Sequence, residues 1–272
     1  MPQIIHRPVD RVRRDCAWLL EHRANVTSQI GQDGILAKIF DLIGEGQKFC
    51  VEFGAWDGKH LSNTWDLIAN KGWGGILIEG DPAKFRGLVA THPYPRVKAL
   101  NRFVHWQGEE ALDNILAGNA APPEIDLMSI DVDGNDWHIW KSLVKYRPRV
   151  VLIEFNPSIP NDVFFVQDAD RRYNHGNSLL AMIELGKQKG YSLVCANCWD
   201  AFFVVDELYG AFNIPDNGID AMHFYPQAQT SLFQGYDGTL FTAGNRQLLW
   251  HNLGFAFDTI QLLPPHQRRY RG

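Results

Sequence analysis

Four groups of oxygen-bearing residues stand in the first two thirds of the chain, each at the end of a short apolar run. Glu52 and Asp57 accompany Gly54 and Gly58; Glu79 and Asp81 come next; then Asp131, Asp133 and Asp136; then Glu154 and Asn156. Carboxylates in such positions can accept hydrogen bonds from ribose hydroxyls. They can also hold a hard divalent cation through oxygen, or take a proton from a weak nucleophile. Glycines beside them let the backbone come close to a ligand. Two histidines, His138 and His175, lie where the same chemistry could use them as bases.

These groups act together only if the fold brings them to one edge. The runs that precede them, 49–53, 75–79, 125–130 and 150–155, are short and rich in β formers, and a similar run spans 97–100. Between them lie segments with helical character at 61–71, 82–91, 109–117 and 137–144, the second opened by Asp81 as cap and Pro82 at its first position. Helices are also expected over 10–24, 35–43 and 179–190. The last two strands, 191–196 and 201–205, are too close in sequence for a helical crossover and should pair antiparallel at one edge.

Strands alternating with helices predict an α/β chain built on a Rossmann-like, doubly wound, mostly parallel sheet with an antiparallel edge strand. Ligands of such sheets bind beyond the carboxyl ends of the strands, which is where the four polar groups fall. The expected organisation is N-terminal helices over 1–48, a ligand-binding domain over 49–206 and a C-terminal extension, 207–272, packed on it. That extension reads as irregular, with turn signals at 236–239 and 244–245.

The glycines are spaced Gly-x-x-x-Gly and not Gly-x-Gly-x-x-Gly, which disfavours a dinucleotide pyrophosphate. A carboxylate-bearing nucleoside such as S-adenosyl-L-methionine fits better. Amides of the turn and of the next helix would take its carboxylate, Glu52 its cationic end, and Glu79 and Asp81 its ribose hydroxyls. Cofactor contacts are thus expected at Glu52, Gly54, Asp57, Gly58, Asn63, Glu79, Asp81 and Asp131. Methyl transfer from a sulfonium needs alignment and, for a hydroxyl acceptor, a base or a metal. Asp131, Asp133, Glu154 and Asn156 form an oxygen set suited to Mg²⁺, and equally they could cap a helix and bond the backbone. The candidate bases are Asp136, His138 and His175. The loop 156–178, with Phe164, Phe165 and Tyr173 beside Asp168 and Arg171, reads as an acceptor lid or as surface packing.

Glu52-Phe-Gly-Ala-Trp-Asp-Gly58, Ile76-Leu-Ile-Glu-Gly-Asp-Pro82 and Ile130-Asp-Val-Asp-Gly-Asn-Asp136 resemble the first three blocks of FkbM-type methyltransferases. Gly190-Tyr-Ser-Leu-Val, Ala201-Phe-Phe-Val and the entry stretch Ser28-Gln-Ile-Gly-Gln-Asp33 extend the resemblance over about 27–206. It implies the class I methyltransferase fold, cofactor contacts at Glu52, Gly54, Glu79 and Asp81, and transfer to a hydroxyl oxygen of a sugar or natural product. Members commonly carry Asp-Val-Glu-Gly-His-Glu in the third block, where this chain has Asp133 for the Glu and Asn135 for the His. If that His is a base in relatives, another group must serve here.

The 272 residues are 45% hydrophobic and 21% charged, an ordinary globular composition. A formal net charge of -5 offers no footprint for phosphates, and the short basic end at 268–271 reads as a solvated terminus, so no nucleic-acid partner is expected. No apolar run is long enough to cross a bilayer and no secretory leader is visible, which predicts a cytoplasmic protein without a membrane partner. Cys195 and Cys198 lack a second pair at metal spacing and read as free thiols. The aromatic-rich run 248–257 would pack on the domain or on a second copy of the chain. The small-molecule acceptor remains the expected partner. Two other readings stay open: an NAD-linked oxidoreductase or epimerase, which would share the sheet, and a cofactor-binding protein of altered activity, which Asn135 permits.

Overall fold

Strands buried on both faces need continuous apolar runs, and this chain supplies them. In the computed structural model, β1 (Phe49–Phe53), β2 (Gly74–Glu79), β4 (Leu127–Ile130) and β5 (Val150–Glu154) bury nearly every side chain, while β3 (Val97–Asn101) is partly open. The structure describes residues 3–248, 251, 253–254 and 259–270. The expectations placed on the aromatic run 248–257 and on the basic end at 268–271 therefore fall partly outside the described residues.

β1 pairs parallel with β2 and β4, β2 with β3, and β4 with β5. β6 (Tyr191–Ala196) and β7 (Asp200–Val205) form a tight antiparallel hairpin that closes the far side of the sheet, with β7 also antiparallel to β5. The resulting order is β3-β2-β1-β4-β5-β7-β6. The expected Rossmann-like, mostly parallel α/β sheet is thus present, seven-stranded and with a reversed β7. Trp73, Trp140, Phe53, Phe202 and Phe203 are its largest fully buried side chains.

The helices are α1 (Gln32–Ile43), α2 (Trp65–Ala69), α3 (Pro82–Thr91), α4 (Leu112–Gly118), α5 (Asp136–Ser142) and α6 (Leu179–Gln188). The Asp81 carboxylate accepts the amides of Ala83 and Lys84 and so opens α3, and the Ser178 hydroxyl accepts the amide of Ala181 and opens α6. Among the described residues no helix is long and apolar enough to cross a membrane. Cys195 is buried, Cys198 half-buried, and both are free.

Three expectations change. The helix anticipated over 10–24 is only a 3₁₀ turn, Trp18–His22, because 10–17 lacks an apolar stripe that a helix could bury. The helix anticipated over 61–71 is reduced to α2, because the residues before it are held as a loop by Glu52. The C-terminal extension contains an antiparallel hairpin, β8 (Thr230–Gln234) and β9 (Leu240–Gly244), whose turn is the one signalled at 236–239.

Candidate functional site

A cavity of about 460 Å³ opens at the carboxyl edge of the sheet, within the usual range for small-ligand sites. Its wall takes Glu52 and Gly54 from the end of β1, Glu79 from β2, Asp131 and Asp133 from the end of β4, Glu154 from β5 and Asp200 from the start of β7.

Glu52 is the anchor of the first turn. Its buried carboxylate accepts hydrogen bonds from the Ser62 hydroxyl, the Asn63 amide and the Thr64 hydroxyl at 2.7, 2.8 and 2.7 Å. Burial pushes its pKa up, against the pull of these three donors. Gly54 (φ +74°) would place a Cβ 2.0 Å from the Asp131 carbonyl oxygen, so the glycine is what lets the ends of β1 and β4 meet. Gly58 (φ +74°) would place one 2.6 Å from His92 and Leu88. Both glycines therefore answer to packing inside the protein; Gly54 still faces the cavity and Gly58 does not.

Five amides of this turn and of the residues after it are spent. Ala55 donates to Ile78 O, Gly58 to Ala55 O, Trp56 to Glu79, and Lys59 and His60 to Asp57. These five are not free to receive a ligand carboxylate. Asp57 is occupied in closing the turn and Asp81 in capping α3, and neither lines the cavity. Glu79 does line it, each of its oxygens accepting one amide, from Trp56 and from Asp81. Asn63 donates to the Ser129 hydroxyl, while its own Oδ1 is buried with no donor.

Across the sheet, the carboxylate oxygens of Asp131, Asp133 and Glu154 lie within 4.8 Å of one another. Among the described residues no cation pairs with them and no donor bonds them. Asp133 adopts φ +56°, a left-handed conformation that a non-glycine residue takes at a cost. Solvent reaches Asp131 through the cavity mouth, yet burial of its carboxyl among protein atoms, and then the neighbouring Asp136 and Asp200, push its pKa well up. Glu154 is raised for the same reasons, burial first and Asp131 next. Fully buried Asp200 accepts Gln32 Nε2 at 2.7 Å and Asn197 Nδ2 at 3.2 Å, and burial raises it to about 6. In ligand type, such a cluster of carboxylates without a counter-charge is what a hard cation takes. Asn156, expected to join it, instead donates to the His175 carbonyl and accepts from Ser158.

None of the three anticipated bases lines the cavity. Asp136, raised by burial to about 6, accepts the amides of Val132 and Gly134 and so shapes the turn that carries Asp131 and Asp133. His138 Nε2 is 2.8 Å from the Gln167 carbonyl oxygen, and its ring packs on Trp106 and Trp137. The His175 ring stacks on Tyr173. No residue of the loop 156–178 reaches the cavity; Gln167 and Asn177 pin it from within, Gln167 through Tyr173, His175 and Gly176, and Asn177 through Gly134.

No protein-family model matches this chain, and no curated protein matches it in sequence. Solved structures that share part of its fold include an O-methyltransferase family protein from Burkholderia thailandensis, 10% identical with a TM-score of 0.40 over 62% of this chain and 55% of that one. Another is the CMeT domain of the citrinin polyketide synthase, 12% identical with a TM-score of 0.38 over 58% and 46%. A third is an O-methyltransferase from neocarzinostatin biosynthesis, in complex with S-adenosyl-L-homocysteine and 1,4-dihydroxy-2-naphthoic acid, 14% identical with a TM-score of 0.37 over 64% and 57%. The chain spans about half the length of these three. Likeness this weak bears on neither activity nor acceptor, and the fold assignment rests on the strand order above.

Several cavity residues escape a reading of strand ends. Gln29 and Gln32 come from ahead of β1, His60 from the loop after it, Lys84 from α3, and Arg102 and Phe103 from just beyond β3. The Lys84 ammonium lies 3.7 Å above the Trp56 ring. Asp200 could have been found from its place directly after the short turn between two strands.

Proposed function

We propose that this chain is an S-adenosyl-L-methionine-dependent methyltransferase that O-methylates a hydroxyl of a sugar or natural-product small molecule, with Mg²⁺ held by Asp131, Asp133 and Glu154. The observation that carries the reading is the cavity at the point where the strand order reverses between β1 and β4, lined by Glu79 at the end of β2 and by Asn63, whose buried Oδ1 has no donor. Each Glu79 oxygen keeps a lone pair for a ribose hydroxyl beyond the amide it already accepts. Asn63 Oδ1 lacks a donor, and the cofactor's ammonium group would supply one. The residues present thus fit the cofactor at its ribose and its amino group through side chains.

The three clustered carboxylates suit Mg²⁺ in ligand type, and Mg²⁺ held there would lower the pKa of an acceptor hydroxyl. The chain's own task is alignment of acceptor and sulfonium, the main lever in such a displacement. With Asp136, His138 and His175 off the wall and Glu154 given to the metal, the Asp200 carboxylate, whose Oδ1 accepts no hydrogen bond, is the group placed to take the acceptor proton.

Calorimetric titration of the wild type and of Glu79→Gln with S-adenosyl-L-methionine and NAD⁺ tests the reading. The expected result is binding of S-adenosyl-L-methionine alone, weakened about tenfold or more in a variant whose melting temperature is checked in parallel, equivalent to about 1.4 kcal/mol. Binding of NAD⁺ without S-adenosyl-L-methionine would transfer the site to the oxidoreductase reading.

A further inference from the structure

Resting on the methyltransferase reading, we infer that the acceptor docks against the segment 28–33 and the β6–β7 turn, and that it is an uncharged polyhydroxylated compound. The loop 156–178 is excluded as the acceptor wall because none of its side chains reaches the cavity. The segment ahead of α1 does reach it, through Gln29 and Gln32.

This segment is built to hold a shape. One Asp33 carboxylate oxygen accepts the amides of Val26, Thr27 and Ser28 at 2.7, 2.8 and 2.9 Å, and the Asp33 amide donates back to the Ser28 hydroxyl. Gly31, at φ +102°, has no room for a Cβ against Arg23. The Thr27 hydroxyl ties the segment to the Ser62 carbonyl, and Gln32 ties it to Asp200 across the cavity floor. Gln29 stands exposed on this fixed loop at the cavity wall, and among the described residues its carboxamide has no protein hydrogen-bond partner. A carboxamide both donates and accepts, as a hydroxyl does, so a polyol satisfies it fully.

Charge decides the rest. On the acceptor side Asp131, Asp133, Glu154 and Asp200 line the cavity, while the cations Lys84 and Arg102 enter it from the α3 and β3 side, with Arg102 3.7 Å from Glu110. A divalent ion offsets only part of this charge. The acceptor half therefore repels phosphate and carboxylate groups.

The test is a panel of neutral methyl hexosides, the matching hexose 6-phosphates and hexuronates, read by release of S-adenosyl-L-homocysteine, with cofactor binding measured by calorimetry on the same preparations. The expected result is turnover of neutral members only. Gln29→Ala should raise the acceptor KM about three- to tenfold with cofactor affinity kept, the range of one net hydrogen bond. Phe164→Ala, on the excluded loop, should change neither. Turnover of phosphates or hexuronates, no turnover of any neutral hexoside by protein that binds the cofactor, or an unchanged KM in Gln29→Ala would each overturn the inference. Failure to bind the cofactor at all would instead remove the methyltransferase reading, and the acceptor assignment with it.

Discussion

Replacing Asp200 by asparagine isolates the cost of holding a charge in the acidic corner of the cavity. The carboxyl is fully buried, and its pKa is raised from an ordinary value near 3.8 to about 6. Because the folded chain binds this proton more tightly than the unfolded one, stability from this group is fully present below about pH 3.8. It is lost progressively up to about pH 6 and is constant above. With each pKa unit equivalent to about 1.4 kcal/mol, the loss sums to roughly 3 kcal/mol. Asparagine keeps an oxygen for Gln32 and Asn197 and cannot ionise, so Asp200→Asn escapes that loss.

His92 and His223, both lowered by burial, give the wild-type profile contributions of the opposite sign. The quantity to measure is therefore the difference in melting temperature between variant and wild type, followed by circular dichroism in chelator. It should be near zero at about pH 4 and grow to about 6–12 °C in favour of the variant by about pH 7, taking 2–4 °C per kcal/mol for a chain of this size. A difference that does not vary with pH, or that favours the wild type near neutrality, would refute the assignment of a buried, raised carboxyl at this position.

Two further outcomes follow from the same geometry. Gly54→Ala should cost more than about 3 kcal/mol in urea unfolding, since a strained φ adds to the contact with Asp131. Gly44→Ala, at φ +72° with open space around it, should cost only about 1–2 kcal/mol, and equal losses at the two sites would contradict the contact. For the metal set, Asp131→Asn should weaken Mn²⁺ binding followed by electron paramagnetic resonance about tenfold or more, at least the loss seen when a group supporting a metal ligand is removed. Unchanged Mn²⁺ affinity would remove Asp131 from the set.

The sheet was legible because each buried strand is a short, mostly apolar run and each polar group falls at or just beyond the carboxyl end of one. Asp81 and Pro82 likewise announced α3. What stayed hidden depends on bonds between distant residues. The shortened α2 follows from Glu52 drawing in 62–64, and nothing in the local spacing of 61–71 signals it. The rule that ligands sit at the carboxyl ends of strands points away from Asp200, which begins its strand; only because β7 runs backwards does its start share an edge with the ends of β1, β2, β4 and β5. His138 and His175 looked available because histidine type says nothing of where a ring is packed, and in the fold both are turned into the surroundings of Gln167 and Tyr173. Gln29 has no chemical signature of its own; its position is set by Asp33 and Gly31.

The strand order also sets a timetable for synthesis. β6 is made before β7 yet lies outside it, so β6 has no partner on the sheet when it emerges, and the outer edge of β5 stays bare until Asp200–Val205 has been extruded and slipped between them. An apolar strand with an open edge is a template for pairing with other chains. During that interval the nascent chain is most exposed to misassembly, and substitutions that slow the insertion of β7 should lower soluble yield more than they lower the stability of the finished fold.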